Sequence, residues 1–207
     1  GLGGRESARV SFERLAGERD YYGHLAALWL GIPGSLADQS TTIAPEKLLD
    51  LAAAPSAQRI YELRALGETL EARREWFQLI KPFSTTELRI AAALASQWLW
   101  HDMAIATLAQ AQAWDEVRER FPRPYAARFT EAARTQGVPV TLAMAVARRE
   151  SGFWTDARSP VGAQGLMQLM PRTAQSVAKS IDLDSPTDLV LTQADTNIKL
   201  GTAYLGQ

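Results

Sequence analysis

Residues 150 to 171 run Glu-Ser-Gly-Phe-Trp-Thr-Asp-Ala-Arg-Ser-Pro-Val-Gly-Ala-Gln-Gly-Leu-Met-Gln-Leu-Met-Pro, and they hold the best candidate for chemistry in the chain. A single carboxylate, Glu150, stands where a helical pattern breaks at Gly152. Aromatic side chains, a glycine-bounded turn and two methionines follow it. A carboxyl group in such a place can give up a proton and take one back, which is general acid–base work. Competing chemistries are thin. With no cysteine, thiolate catalysis and a disulfide framework are excluded. The two histidines, His24 and His101, lie far apart, so a histidine-based metal cluster is not expected.

Helix geometry says which way Glu150 faces. At ~100° per residue, Ala143, Val146 and Ala147 fall within about 60° of it, so it emerges from the core-facing stripe of a helix over 139–150. Arg148 and Arg149 project about 160° and 100° away and are not placed to pair with it. Partial burial, the negative end of the helix and an apolar wall from Phe153 and Trp154 would all favour an acid that holds its proton. A lone glutamate at a helix end is ordinarily just solvated. Phe153 is equally a core aromatic or a substrate contact. Met167 and Met170 share a face with Ala174 and Val177, which is ordinary core spacing. Gln168 lies off that stripe and is the better polar contact.

The elements that must position these residues read as all-α. Ala, Leu, Glu and Arg dominate the first part, and the alternation of strands is missing. Helices are expected over 6–16, 21–30, 45–53, 57–66, 68–80, 84–100, 101–109, 125–136 and 139–150, then from 165 or 166 to 180, and from 192 onward. Gly31-Ile32-Pro33-Gly34 stops the second of these and opens a loop through Thr42. Ser84 with Glu87 fits a capping box. Short connections predict antiparallel hairpins, a piece of an α-solenoid or a small all-α linker domain. Phe121-Pro122-Arg123-Pro124 marks a second boundary. The parts are 1–42, the end of a superhelical region; 43–121, a helical linker domain; and 122–207. Lys and Arg total 22 against 23 Asp and Glu, so no basic excess points to nucleic acid. No apolar run approaches the ~20 residues of a membrane span, and no signal peptide opens the sequence.

Glu-Ser-x-Phe, Ala-x-Ser-x-x-Gly-Ala and Gly-Leu-Met-Gln-x-Met-Pro occur here in the order and spacing of the soluble lytic murein transglycosylases, and the segment resembles their signature. Asn197, Gly201, Tyr204 and Leu205 resemble that family's Asn-x-x-x-Gly-x-x-Tyr-Leu helix. The resemblance implies a lysozyme-like catalytic domain over 122–207, truncated, since the family continues to an Ala-Tyr-Asn-x-Gly motif. The reading therefore expects a piece of a longer chain. It implies Glu150 as the catalytic residue and Ser159, Gln168, Met170 and Phe153 in the sugar-binding cleft.

The activity so implied is a lyase reaction on peptidoglycan glycan strands in the bacterial periplasm, without a cofactor. Glu150 protonates the β-1,4 glycosidic oxygen between N-acetylmuramic acid and N-acetylglucosamine. It then takes the proton of the C6 hydroxyl, which closes a 1,6-anhydro ring. Other cell-wall enzymes are implied as partners. Two alternatives stand beside it. A lysozyme-type hydrolase needs a second carboxylate, for which Asp156, Asp182, Asp184 and Asp188 are unconvincing. A non-catalytic glycan-binding helical scaffold would not need Glu150 at all.

Overall fold

The computed structural model of the protein describes residues 2–36 and 38–207, with side chains from Glu6 onward. Gly1 and Ala37, which fall in the expected first segment and its loop, lie outside the described residues. The architecture is all-α, and no strand forms among the described residues. Two compact units are present: 1–41 with 114–118, and 42–113 with 119–207.

In the first unit, α1 (Leu2–Leu15) packs on α2 (Tyr21–Leu30). Asp20 caps α2 by accepting from Gly23 N at 2.7 Å, and Gly31, left-handed at φ 69°, ends it. Phe12 stacks on Trp29, and Ala16, Ala26 and Ala27 form the small core. Gln39 N donates to Asp115 O, and Thr41 N to the Glu116 carboxylate, which ties 39–41 to 114–118.

The second unit begins with α3 (Pro45–Ala53), α4 (Pro55–Ala65), α5 (Thr69–Ile80), α6 (Thr85–Gln97) and α7 (His101–Gln110). α4 pairs with α5, and α6 with α7. The Ser84–Glu87 capping box is formed, with Ser84 N donating to Glu87 Oε2 at 2.7 Å. Trp76 anchors this half. It is fully buried, meets Trp98 and Trp100 edge-on, and donates its indole N–H to Thr107 Oγ1 at 3.0 Å. The Thr107 hydroxyl in turn donates a hydrogen bond to Met103 O. A buried Trp is stable here because its polar atom is satisfied.

After the short α8 (Val117–Arg120) come α9 (Ala126–Gln136), α10 (Val140–Ser151), α11 (Pro171–Ser180), α12 (Asp188–Leu191) and α13 (Ala194–Leu205). The expected boundary at Phe121–Pro124 falls inside the second unit. Phe129, Ala143, Ala147, Leu166 and Ile198 form one core cluster; Leu169, Ala174, Val177, Leu191 and Leu200 form another.

One expected element is corrected. The helix from 165 or 166 to 180 starts only at Pro171. Gly165 and Gln168 are left-handed, at φ 77° and 46°, and Met170 is extended, as a residue before proline prefers. Met167 and Met170 therefore share no helical face: Met167 is buried and Met170 is 41% exposed.

His101, the first residue of α7, is half-buried, and its Nδ1 has no hydrogen-bond partner among the described residues. Burial, and then the charge of Arg64, hold it below the ordinary histidine range. The unfolded chain thus takes up the proton first. The stability that neutral His101 contributes is complete above about pH 6.5 and is lost as pH falls from there towards the lower folded value. Melting followed at about pH 7.5 and 5.5 should show a larger fall for the wild type than for His101→Phe. Equal falls would remove His101 from the acid response.

Candidate active site

α10 carries Glu150 in its last turn and ends abruptly. Gly152 is left-handed at φ 62°, and its N–H donates to Arg148 O at 3.1 Å. Phe153 follows, also left-handed at φ 71°. For a bulky aromatic that backbone costs about 1–3 kcal/mol, so its surroundings must hold it. Ser151 is one of the holders. Its hydroxyl accepts from Phe153 N at 3.1 Å and donates to Leu166 O at 2.8 Å, which joins the end of α10 to the 164–170 segment.

That segment is a knot of turns. Bridges link Arg158 to Gln164 and Gln164 to Leu169. Asn197 of α13 lies fully buried beneath it. Its Oδ1 accepts from Met167 N at 2.7 Å, and its Nδ2 donates to Gln164 O at 3.0 Å and Leu191 O at 2.9 Å. Two glycines permit this closeness. A Cβ on Gly165 would run into Asn197 Nδ2 and stand 2.6 Å from Leu191 O, and one on Gly201 would strike Met167.

Glu150, Gln168 and Met170 come together around a cleft of about 290 Å³. Val146, Met167 and Leu169 supply its apolar lining, and Thr173 and Tyr204 its other polar groups. Gln168 uses its amide N–H to hold the turn, donating to Ala157 O at 3.1 Å and Gly165 O at 2.9 Å, so its carbonyl is the end left for a ligand. Ser159 is elsewhere, in a tight turn: its Oγ accepts from Ala163 N and its N–H donates to Ala163 O, both at 2.9 Å. Phe153 is buried, edge-on to Phe129, and does not line the cleft.

Two expectations about Glu150 are corrected. It is exposed rather than half-buried, and it makes no hydrogen bond or ion pair among the described residues. The apolar wall does not come from Phe153, which turns into the core, nor from Trp154, which lies under Arg73. Arg148 points away as the helix geometry requires, with Nε on Arg120 O at 2.5 Å and its guanidinium over Phe121. Sequence reasoning passed over Ser151 as a holder and Tyr204 as a cleft residue. The Glu-Ser pair and the Gly-x-x-Tyr spacing were the available signals.

A cavity of about 390 Å³ between α9 and α13 is larger, lined by Arg128, Glu131, Asp195 and Lys199. Arg128 and Asp195 pair there at 2.7 Å, both more than half exposed, and the motif segment contributes no residue to it. The motif segment lines the smaller cleft instead. Among the described residues no group of three or more His, Asp and Glu side chains is placed to hold a metal ion, and no helix is long and apolar enough to cross a membrane.

Fold and site together define a class: all-α proteins with one carboxylate at the rim of a cleft built on a glycine-tightened turn. Comparison with known proteins narrows it. Residues 50–117 match the soluble lytic murein transglycosylase L domain, and residues 127–207 the transglycosylase SLT domain. The soluble lytic murein transglycosylase of Escherichia coli K12 is 34% identical over 207 positions, covering 98% of this chain and 31% of that protein. The crystal structure of the 70-kDa soluble lytic transglycosylase from E. coli superposes with a TM-score of 0.90 at 32% identity, over 99% of this chain and 33% of that one. The structure of an inactive glutamate-to-glutamine mutant of the lytic transglycosylase Slt from Pseudomonas aeruginosa gives 0.89 at 39% identity, over 96% and 32%. The chain belongs to the soluble lytic murein transglycosylase family. It spans about a third of the length of the relatives it matches.

Proposed function

We propose that this chain supplies the acid–base centre of a peptidoglycan lytic transglycosylase. Glu150 gives its proton to the β-1,4 glycosidic oxygen between N-acetylmuramic acid and N-acetylglucosamine. The bond to the anomeric carbon breaks, and the muramyl N-acetyl group steadies the cation that develops. Glu150, now a carboxylate, takes the C6 hydroxyl proton as that oxygen bonds to the anomeric carbon. The proton budget closes on one residue, and no water is consumed.

The observation that carries this reading is that, among the described residues, Glu150 is the single acid lining the cleft. A hydrolase needs a second carboxyl group within about 5–10 Å, as nucleophile or as activator of water. The inactive mutant of the Pseudomonas relative, with glutamine in place of one glutamate, supports a glutamate in that role.

Gln168 and Met170 contact the sugar from the cleft, and Tyr204 adds a hydroxyl on the α13 side. Ser159 and Phe153 serve the substrate from behind, by shaping the turn and backing the cleft. The functional partition is 1–42, 43–121 and 122–207, which the matches to 50–117 and 127–207 support. The substrate places the protein in the periplasm, with peptidoglycan and other cell-wall enzymes as partners.

Product chemistry tests the reading. Digestion of purified sacculi should yield muramyl ends lighter by one water than the hydrolytic product. They should resist borohydride and take up no label from heavy-oxygen water. Reducible, labelled muramic acid as the main product would replace the lyase with a hydrolase.

A further inference from the structure

The turn after Glu150 is gripped by residues far from it in sequence. Gly152 presses against α7, so closely that a Cβ there would stand 3.2 Å from both Cα and Cβ of Asp102. Asp102, in the first turn of α7, is ion-paired with Arg73 of α5. The Arg73 guanidinium carbon lies over the ring of Trp154, 4.1 Å from its centroid. Ile105, one turn along α7, packs into the cluster that holds Phe129, Ala147 and Phe153. Groups from residues 73 to 105 therefore meet Gly152 and Trp154 and pack on the cluster that holds Phe153 between them.

This is not an ordinary surface pair. The side chains of Arg73 and Asp102 are only 20% and 9% exposed. Burial pushes the Asp102 carboxyl up and the Arg73 charge pulls it down. In such a pair each partner leaves an uncompensated buried charge if the other is removed. A guanidinium over an indole adds attraction that strengthens with desolvation. Gly152 and Phe153 both sit in left-handed backbone, a conformation that persists only where the surroundings over-determine it.

We propose that Arg73 and Asp102 are positioning residues for Glu150, a clamp through which the helical region of 42–113 sets the last turn of α10 over the cleft. The proposal rests on Glu150 being the acid–base group. A displacement of about 1 Å at a reacting group can cost on the order of 100-fold in rate, so a loosened turn is enough to be felt.

The test uses the full-length protein carrying Arg73→Met, Arg73→Lys or Asp102→Asn. Arg73→Met should lower kcat by about 10-fold or more and leave KM within about twofold, because the turn moves and the sugar contacts stay. Arg73→Lys should recover part of the loss, since a point charge reaches Asp102 but lacks the guanidinium's contact with Trp154. Amide exchange at residues 151–154 should quicken by about 10-fold while the core of α6 exchanges as before. Unchanged kcat together with unchanged exchange, or a rise in KM at constant kcat, overturns the clamp. A variant that loses kcat and exchange protection in α6 as well shows general destabilisation and also overturns it. If Arg73→Met does not fold, Asp102→Asn, which keeps the side-chain shape, carries the same two readouts. Should the wild-type protein show no turnover, the activity reading fails alone, and exchange at 151–154 still decides the clamp.

Discussion

Glu150→Gln should abolish turnover and leave the protein standing. Glu150 is exposed and bonds to nothing among the described residues, so the substitution removes no structural contact. Surface changes of this kind shift stability by no more than about 0.5 kcal/mol. Glutamine keeps the shape and can still accept a hydrogen bond from a sugar, but it cannot donate a proton and then take one back. With one residue serving as both acid and base, the loss strikes both halves of the reaction. Release of soluble muropeptides from sacculi should fall at least ~100-fold, the lower end of acid–base contributions. The variant should still sediment with sacculi, because the cleft is intact. A folded variant that keeps more than a tenth of the wild-type rate would falsify the assignment, and the binding-scaffold reading would take its place.

How much of this was legible in the sequence depends on how local the cause was. α2 begins and ends where its cap residues say, with Asp20 before it and Gly31 after it, because capping is settled within one turn of chain. The capping box at Ser84 is equally local. The 165–170 segment is the opposite case. Its apolar spacing mimics a helix, but its backbone is decided by Asn197, about thirty residues on, whose side chain competes for the very groups a helix would pair. Helix geometry gave the direction of Glu150 but not what covers it. The aromatic wall failed because a left-handed Phe153 swings its ring to Phe129, and Trp154 goes to Arg73. Both destinations are long-range partners, and no local pattern names them. Ser159 illustrates the limit of a motif: the pattern singles out the residue, while only the structure shows its hydroxyl holding Ala163.

The largest effect on stability is expected at Asn197. Asn197→Leu keeps the branched shape, with bulkier ends, and removes the three hydrogen bonds that the Asn197 side chain makes around the cleft's central turn. Met167 N loses its acceptor and Leu191 O its donor, while Gln164 O keeps only its bond from Leu169 N. Asn197 is fully buried, Met167 and Leu191 are nearly so, and a leucine side chain would keep water from replacing the lost partners. Each orphaned backbone group costs about 1–3 kcal/mol, so with two of them the loss should reach at least ~2 kcal/mol. For a protein of this size that lowers Tm by roughly 4 °C or more. Asn197→Asp is the informative companion, because it keeps an acceptor for Met167 N and loses only the donor side. It should fall between wild type and leucine unless the buried charge, which has no cation beside it in these contacts, costs more than the restored bond. The turn that Asn197 holds is also the one that presents Gln168 to the cleft, so turnover should fall along with Tm. A leucine variant that melts within about 1 °C of wild type would show that the segment is held by its own turns, with Asn197 a bystander.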